Sequence, residues 1–168
     1  LLSALVKELE GEGFRVVAPE TLLQDGLAQD GPFGRLGLDR EADVDIERGF
    51  SVLAALAAQD VGQSVVVQQG IVLGIEAAEG TDELIRRCGP LHREGARGVL
   101  IKAHKAGQER RVDLPAVGAA TMRAAIEAGL RGIAVEAGGT LVFERSEMVR
   151  LADEAGLFLV GVRAPASG

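Results

Sequence analysis

From Gln63 to Val162 short aliphatic runs alternate with stretches of helical spacing, and this alternation restricts the fold more than any other feature of the chain. The segment "QSVVVQQGIVLGIEA" reads as two strands around Gln69-Gly70, a hairpin signal. "TDELIRRCGPLHREG" reads as a helix capped by Thr81 and softened at Gly89-Pro90. "GVLIKA" is a buried strand, followed by the polar loop "HKAGQERRVDLP" and a helix, "AVGAATMRAAIEAG", that ends at Gly129. "GIAVEAGGTLVF" gives a strand, a Gly-Gly turn and a further strand. A helix then runs from a Ser146 cap to Gly156, and "LFLVGV" closes the sheet. The expected fold class is α/β, a layered mixed sheet with helices packed on it.

Upstream the pattern is thinner. In "LLSALVKELE" the residues Leu1, Leu5 and Leu9 stand at i, i+4 spacing, "FRVVA" reads as a strand, and Pro19 can open "PETLL". The chain starts at Leu1 with a helical pattern already under way, so residues 1–42 read as the tail of a preceding α/β domain, the end of a Rossmann-like unit, plus a linker. Gly26, Gly31, Gly34 and Gly37, with Pro32, give that linker its composition, which also suits a mobile lid. Residues 43–59 read as a connecting helix, helical from about Asp43 to Ala58, and residues 60–168 as a C-terminal α/β domain.

Composition narrows the function. A net charge of -7, no Trp, no Tyr and five Phe exclude a nucleic-acid surface, which needs basic stripes and stacking rings. The lone Cys88 cannot form an internal disulfide and fits the reducing cytoplasm; as a residue it reads as small core, with no base beside it in sequence. No apolar run reaches the roughly 18 residues of a spanning helix.

Ligands of α/β sheets gather beyond the carboxyl ends of strands. Each of those ends carries a charge here: Glu76 and Glu79 after "IVLGI", Lys102 after "GVLI", Glu136 after "GIAV". Thr81, Asp82 and Glu83 are accounted for by the start of a helix alone, whereas Glu76 and Glu79 are not. Lys102 suits phosphate oxygens as a compact positive charge, while Lys105 and Arg110 read as solvated loop. Carboxylates without a Cys/His cluster favour Mg²⁺ over zinc. His92 and His104 carry no such signal. Asp113, in "RRVDLP", serves equally as a helix start or as a catalytic acid.

Four strings, "VGQSVVVQQGIVLGIEAAEGTDELI", "GVLIKAHKAGQERRVDLPAVG", "GIAVEAGGTLV" and "ADEAGLFLVGV", resemble, in order and over about residues 60–162, the LpxI-type UDP-2,3-diacylglucosamine pyrophosphatases of lipid A biosynthesis. The resemblance implies a two-domain cytoplasmic enzyme, peripheral at the inner membrane, whose C-terminal domain is catalytic. It implies Mg²⁺-dependent hydrolysis of UDP-2,3-diacylglucosamine to UMP and 2,3-diacylglucosamine 1-phosphate, lipid X. The family's essential acid transfers to Asp113, as a metal ligand or as the group that orients water. Glu76 and Glu79 are then the further metal candidates, and Lys102, Thr81, Gln69, Arg111 and Gly138 the candidates for substrate. Phe33 and Leu36 could shield the acyl tails, and a homodimer is the base-rate assembly. The competing reading is a non-catalytic module that binds a phosphorylated lipid or nucleotide sugar.

Overall fold

The computed structural model describes residues 2–14, 26–57, 59–104 and 114–164. Its centre is a six-stranded sheet ordered β1-β8-β6-β4-β2-β3. The strands are β1 (Gly31–Pro32), β2 (Ser64–Gln68), β3 (Ile71–Ile75), β4 (Val99–Lys102), β6 (Gly132–Glu136) and β8 (Phe158–Val162). β4, β6 and β8 run parallel, while β2 lies antiparallel to β4 and forms the expected hairpin with β3. The sheet is therefore mixed, and the reversal falls between β4 and β2. A separate two-stranded sheet pairs β5 (Ala116–Val117) with β7 (Leu141–Val142) in parallel.

Burial on both faces explains the unbroken apolar runs of β2 and β4, every residue of which is buried. On one face α3 (Thr81–Cys88), α4 (Ala119–Glu127) and α5 (Arg145–Ala155) set Leu84, Ile85, Met122 and Met148 against Val66, Leu100, Ile133 and Leu159. On the other, α2 (Arg40–Ala57) sets Ala42, Ile46, Phe50 and Leu53 against Val65, Val67, Val99 and Ile101. α2 is thus a full layer of the fold, where the sequence reads as a connection. It starts three residues earlier than expected because Asp39 caps it, its carboxylate accepting the Ala42 N–H at 2.9 Å. That bond and the neighbouring Arg131 hold the Asp39 carboxyl below its ordinary range.

Three local expectations need correction. Ala116 and Val117, expected to open a helix, pair with β7, so α4 begins only at Ala119. β7 leaves the main sheet to make that pair. α5 begins at Arg145, capped in backbone terms by Glu144 at φ 50°, and Ser146 is already inside the helix. The strand and helix expected at "FRVVA" and "PETLL" lie outside the described residues, apart from Phe14; α1 (Leu2–Gly11) is helical as its spacing predicts.

The glycine-rich segment is not a free lid in its described part. β1 adds to the outer side of β8, Phe33 donates its N–H to the Leu159 carbonyl at 2.9 Å, and Arg145 lies 4.3 Å over the Phe33 ring. Arg35 N bonds the Asp153 carboxylate at 2.8 Å. The contact is so close that a Cβ on Gly161 would lie 1.8 Å from the Gln29 carbonyl oxygen, so only glycine fits there. Leu36 alone of the two proposed shielding residues stays substantially exposed.

At the opposite end of the sheet two buried polar side chains finish what the strands leave open. Gln69 and Gly70, at φ 51° and 75°, make the tight turn, and their N–H groups donate to the buried Asp45 carboxylate of α2 at 3.1 and 2.6 Å. Gln68 donates to the Arg93 and Ala96 carbonyls and accepts the Arg93 N–H, fastening the loop before β4. Asp45→Ala removes the acceptor of both turn N–H groups and is expected to lower unfolding stability by about 3 kcal/mol, read by urea denaturation.

Candidate functional site

The carboxyl end of β4 carries the most unusual group in the molecule. Lys102 continues a strand of three fully buried residues and is itself 5% exposed. Pairing of β4 with β2 places Ser64 directly opposite it, and the hairpin returns the chain to the same end, where Glu76 N donates to the Ser64 carbonyl at 2.9 Å. α3 then starts beside them at Thr81. Sheet order thus gathers Ser64, Glu76, Thr81 and Lys102 from four separate stretches.

Thr81 does not cap α3. The N-cap position is Gly80, at φ 84°, and no side-chain cap bond is made. The Thr81 hydroxyl is used elsewhere: it donates to Glu76 Oε1 at 3.1 Å and accepts from the Lys102 ammonium. A hydroxyl has one proton, so Ser64, 3.2 Å away, must be the donor in its contact with Thr81. Glu76 Oε2 is buried and has no hydrogen-bond partner. The cluster is therefore a buried cation, a hydroxyl relay and a carboxylate with one oxygen uncommitted.

Desolvation pulls the Lys102 pKa below its ordinary 10.5, and the negative charges of Glu76 and Asp82 oppose the shift. Next to the cluster lies an open cleft of about 340 Å³, lined by Glu79, Thr81, Asp82, Ala116 and Thr121. Thr121 donates to Asp82 at 3.0 Å and so ties the starts of α4 and α3 together. Because no side chain caps α3, its first-turn N–H groups are left for a ligand in that cleft.

The other sequence candidates are placed differently. Glu79 reaches the rim of the cleft, but its carboxylate is bonded to the Ala77 N–H at 3.0 Å and to Arg87, whose ion pair with it measures 2.9 Å. Its own main-chain N–H and Arg87 hold its carboxyl below the ordinary value. Gly138 lies in the exposed turn after β6, at φ 71°, with its N–H on the Ala28 carbonyl at 2.8 Å. Gln69 is at the far end of β2, its side chain on the Glu94 carbonyl at 3.1 Å, so the structure separates it from Lys102 by the length of the strand. Arg111 and Asp113 lie outside the described residues. Cys88 is buried, and burial pushes its thiol up, as befits a core residue. His92 joins its ring to the Ala128 carbonyl, away from the cluster.

Among the described residues there is no group of three His, Cys, Asp or Glu side chains that could hold a metal. What fits Mg²⁺ is narrower: the uncommitted Glu76 Oε2, since Mg²⁺ typically takes one or two carboxylates and fills its other positions with water and substrate phosphate. Glu79 fits only once its Arg87 pair opens. Ser64, Thr121 and Asp82 are members of the cluster or cleft that sequence reasoning left aside. Nothing local marks Ser64; only strand pairing puts it opposite Lys102.

A family model described as LpxI C-terminal domain matches residues 29–160 of the chain. A curated relative is the UDP-2,3-diacylglucosamine pyrophosphatase LpxI of Caulobacter vibrioides, 39% identical over 168 residues. The alignment covers 96% of this chain, and the chain spans 60% of the relative's length. No helix among the described residues is long and apolar enough to cross a membrane.

The Lys102 shift has a sign that can be measured. Between its lowered native pKa and the ordinary 10.5 the unfolded chain binds more protons than the native one. Stability contributed by this site is therefore lowest where Lys102 is charged and rises as pH climbs through that window. Urea midpoints across the alkaline range are expected to show this rise in the native sequence and to lose it in Lys102→Met.

Proposed function

The chain belongs to the LpxI family, and on that premise we propose that the Lys102 cluster is part of a centre that hydrolyses the diphosphate of UDP-2,3-diacylglucosamine with Mg²⁺, releasing UMP and 2,3-diacylglucosamine 1-phosphate. The observation that carries the reading is Lys102 itself, a cation held out of water beside an open cleft at the carboxyl edge of the sheet. Charge on the transferring phosphoryl oxygens must be neutralised for water to attack a diphosphate, and little covalent help is needed. An ammonium excluded from water acts on such oxygens far more strongly than one in bulk solvent.

In this reading Lys102 binds a phosphate oxygen, and the arriving negative charge offsets the desolvation that disfavours its protonated form. Thr81 fixes the ammonium from one side and donates its hydroxyl hydrogen bond to Glu76 Oε1, so the carboxylate keeps its other oxygen turned to other uses. The first turn of α3 supplies N–H groups to the same anion. Glu76 and Asp113 would hold the Mg²⁺ ion, which when bound supplies further charge neutralisation. Arg111 would add a second guanidinium contact to the diphosphate. The substrate's acyl chains partition into a bilayer, and in this reading the enzyme meets them from the cytoplasm, at the inner membrane.

Release of UMP from UDP-2,3-diacylglucosamine, with Mg²⁺ or with chelator, tests the reading on protein that includes this chain. Mg²⁺-dependent release is expected, lost in Asp113→Ala and lowered in kcat by about 100-fold or more in Lys102→Met. Wild-type protein that releases no UMP would sink the hydrolase reading; release that survives chelation would sink the metal part alone.

A further inference from the structure

Strand β4 does not end at Lys102 in hydrogen-bonding terms. On the β2 side Ala103 donates its N–H to the Gln63 carbonyl at 2.9 Å. On the β6 side the ladder is interrupted. Val135 is level with Lys102, but after Glu136 the chain turns away: Ala137 N pairs with the Val162 carbonyl at 2.9 Å, and the Glu136 carbonyl takes the Gly139 N–H at 3.2 Å. The main-chain acceptor that a continued β6 would offer to β4 is thereby engaged within the turn.

The side chain of the same residue fills the gap. Glu136 Oε2 accepts the His104 N–H at 2.7 Å, so the carboxylate stands where the ladder carbonyl would have been. Room for it comes from Gly139, where an added Cβ would lie 2.6 Å from the Glu136 carboxyl carbon and 2.9 Å from each oxygen. Gly139 is not among the glycines with positive φ, so what it supplies is space under the carboxylate rather than backbone freedom.

We infer that Glu136 is a positioning residue for the reaction proposed above, on which this inference rests: it acts through the β4 exit, holding the main chain behind Lys102 in strand geometry past its last ladder bond. Lys102 is held by strand pairing, and the chain after it by Gln63 at Ala103, one residue on, and by Glu136 at His104, two residues on. Loss of the carboxylate lets residues 103 and 104 fray and relaxes the placement of the ammonium against Thr81.

Three variants test this. Glu136→Ala removes the acceptor; Glu136→Gln keeps an acceptor oxygen without the charge; Gly139→Ala leaves the carboxylate in the chain but displaces it. Glu136→Ala and Gly139→Ala are expected to lower kcat for UMP release by about tenfold or more, with KM and Tm close to wild type, because small misplacements of a catalytic group are costly. Glu136→Gln is expected to retain most of the wild-type kcat. Amide hydrogen exchange at His104 is expected to speed up in the two alanine variants and not in the glutamine one. Wild-type kcat in Glu136→Ala overturns the inference. So does Glu136→Gln as impaired as Glu136→Ala with a slow His104 amide, since that marks a direct role for the charge. A wild-type protein without UMP release removes the hydrolase reading and this inference with it; a His104 amide that is still protected by Glu136 then identifies the contact as purely structural.

Discussion

A lysine ammonium at the end of a fully buried strand cannot remain there unless other polar groups converge on it, because the cost of taking an unpaired charge out of water is prohibitive. Lys102 imposes that demand, and the surrounding chain meets it in a particular order. The hairpin of β2 and β3 brings Ser64 and Glu76 to the same end of the sheet. Gly80, by taking the cap position of α3 with a backbone that other residues rarely adopt, frees the Thr81 hydroxyl from capping and lets it mediate between the cation and the carboxylate. Each of these choices is unremarkable alone. Together they hold a buried cation one hydroxyl away, through Thr81, from a cleft lined by a helix start without a side-chain cap.

The two ends of the sheet use buried polar groups for different purposes. At the hairpin end Asp45 and Gln68 bond to main-chain groups, which fixes turns and a loop and gives every side-chain polar atom a partner. At the other end the polar side chains bond mostly to one another, and one carboxylate oxygen is left over. Satisfied polar groups stabilise and rigidify, whereas a group left short of partners is a source of binding energy for whatever completes it. That contrast separates scaffold from candidate site more clearly than burial does, since Asp45 and Lys102 are about equally hidden.

Much of the architecture was legible because burial on both faces writes unbroken aliphatic runs, and Gln69-Gly70 writes a turn. The charges after β3, β4 and β6 were legible for the same reason, as polar residues directly continuing buried strands. What could not be read was long-range. Ser64 acquires a role only through its pairing with Lys102, and Gln69 is separated from the cluster by the direction of β2. Thr81 followed no local rule, because a cap preference competes with a stronger tertiary demand on the same hydroxyl. The segment around Gly31 and Pro32 has the composition of a linker and yet completes the sheet, since two residues of strand leave no periodic trace.

That short strand has a second consequence. The sheet has two outer edges, and a regular row of open N–H and C=O groups on either would be a template for another chain to extend. One edge is β1, two residues long, where Pro32 has no N–H to offer. The other is β3, free of charged residues and therefore the more exposed to such pairing; there the register shifts so that Leu73 has no opposite number, and Arg87 covers the Ile75 carbonyl with a 2.6 Å bond. A kinked and partly occupied edge on one side and a truncated one on the other make the sheet a closed unit. Neither of these two edges then offers another copy of the chain a regular row to extend, which favours association, where it occurs, through helix and loop surfaces.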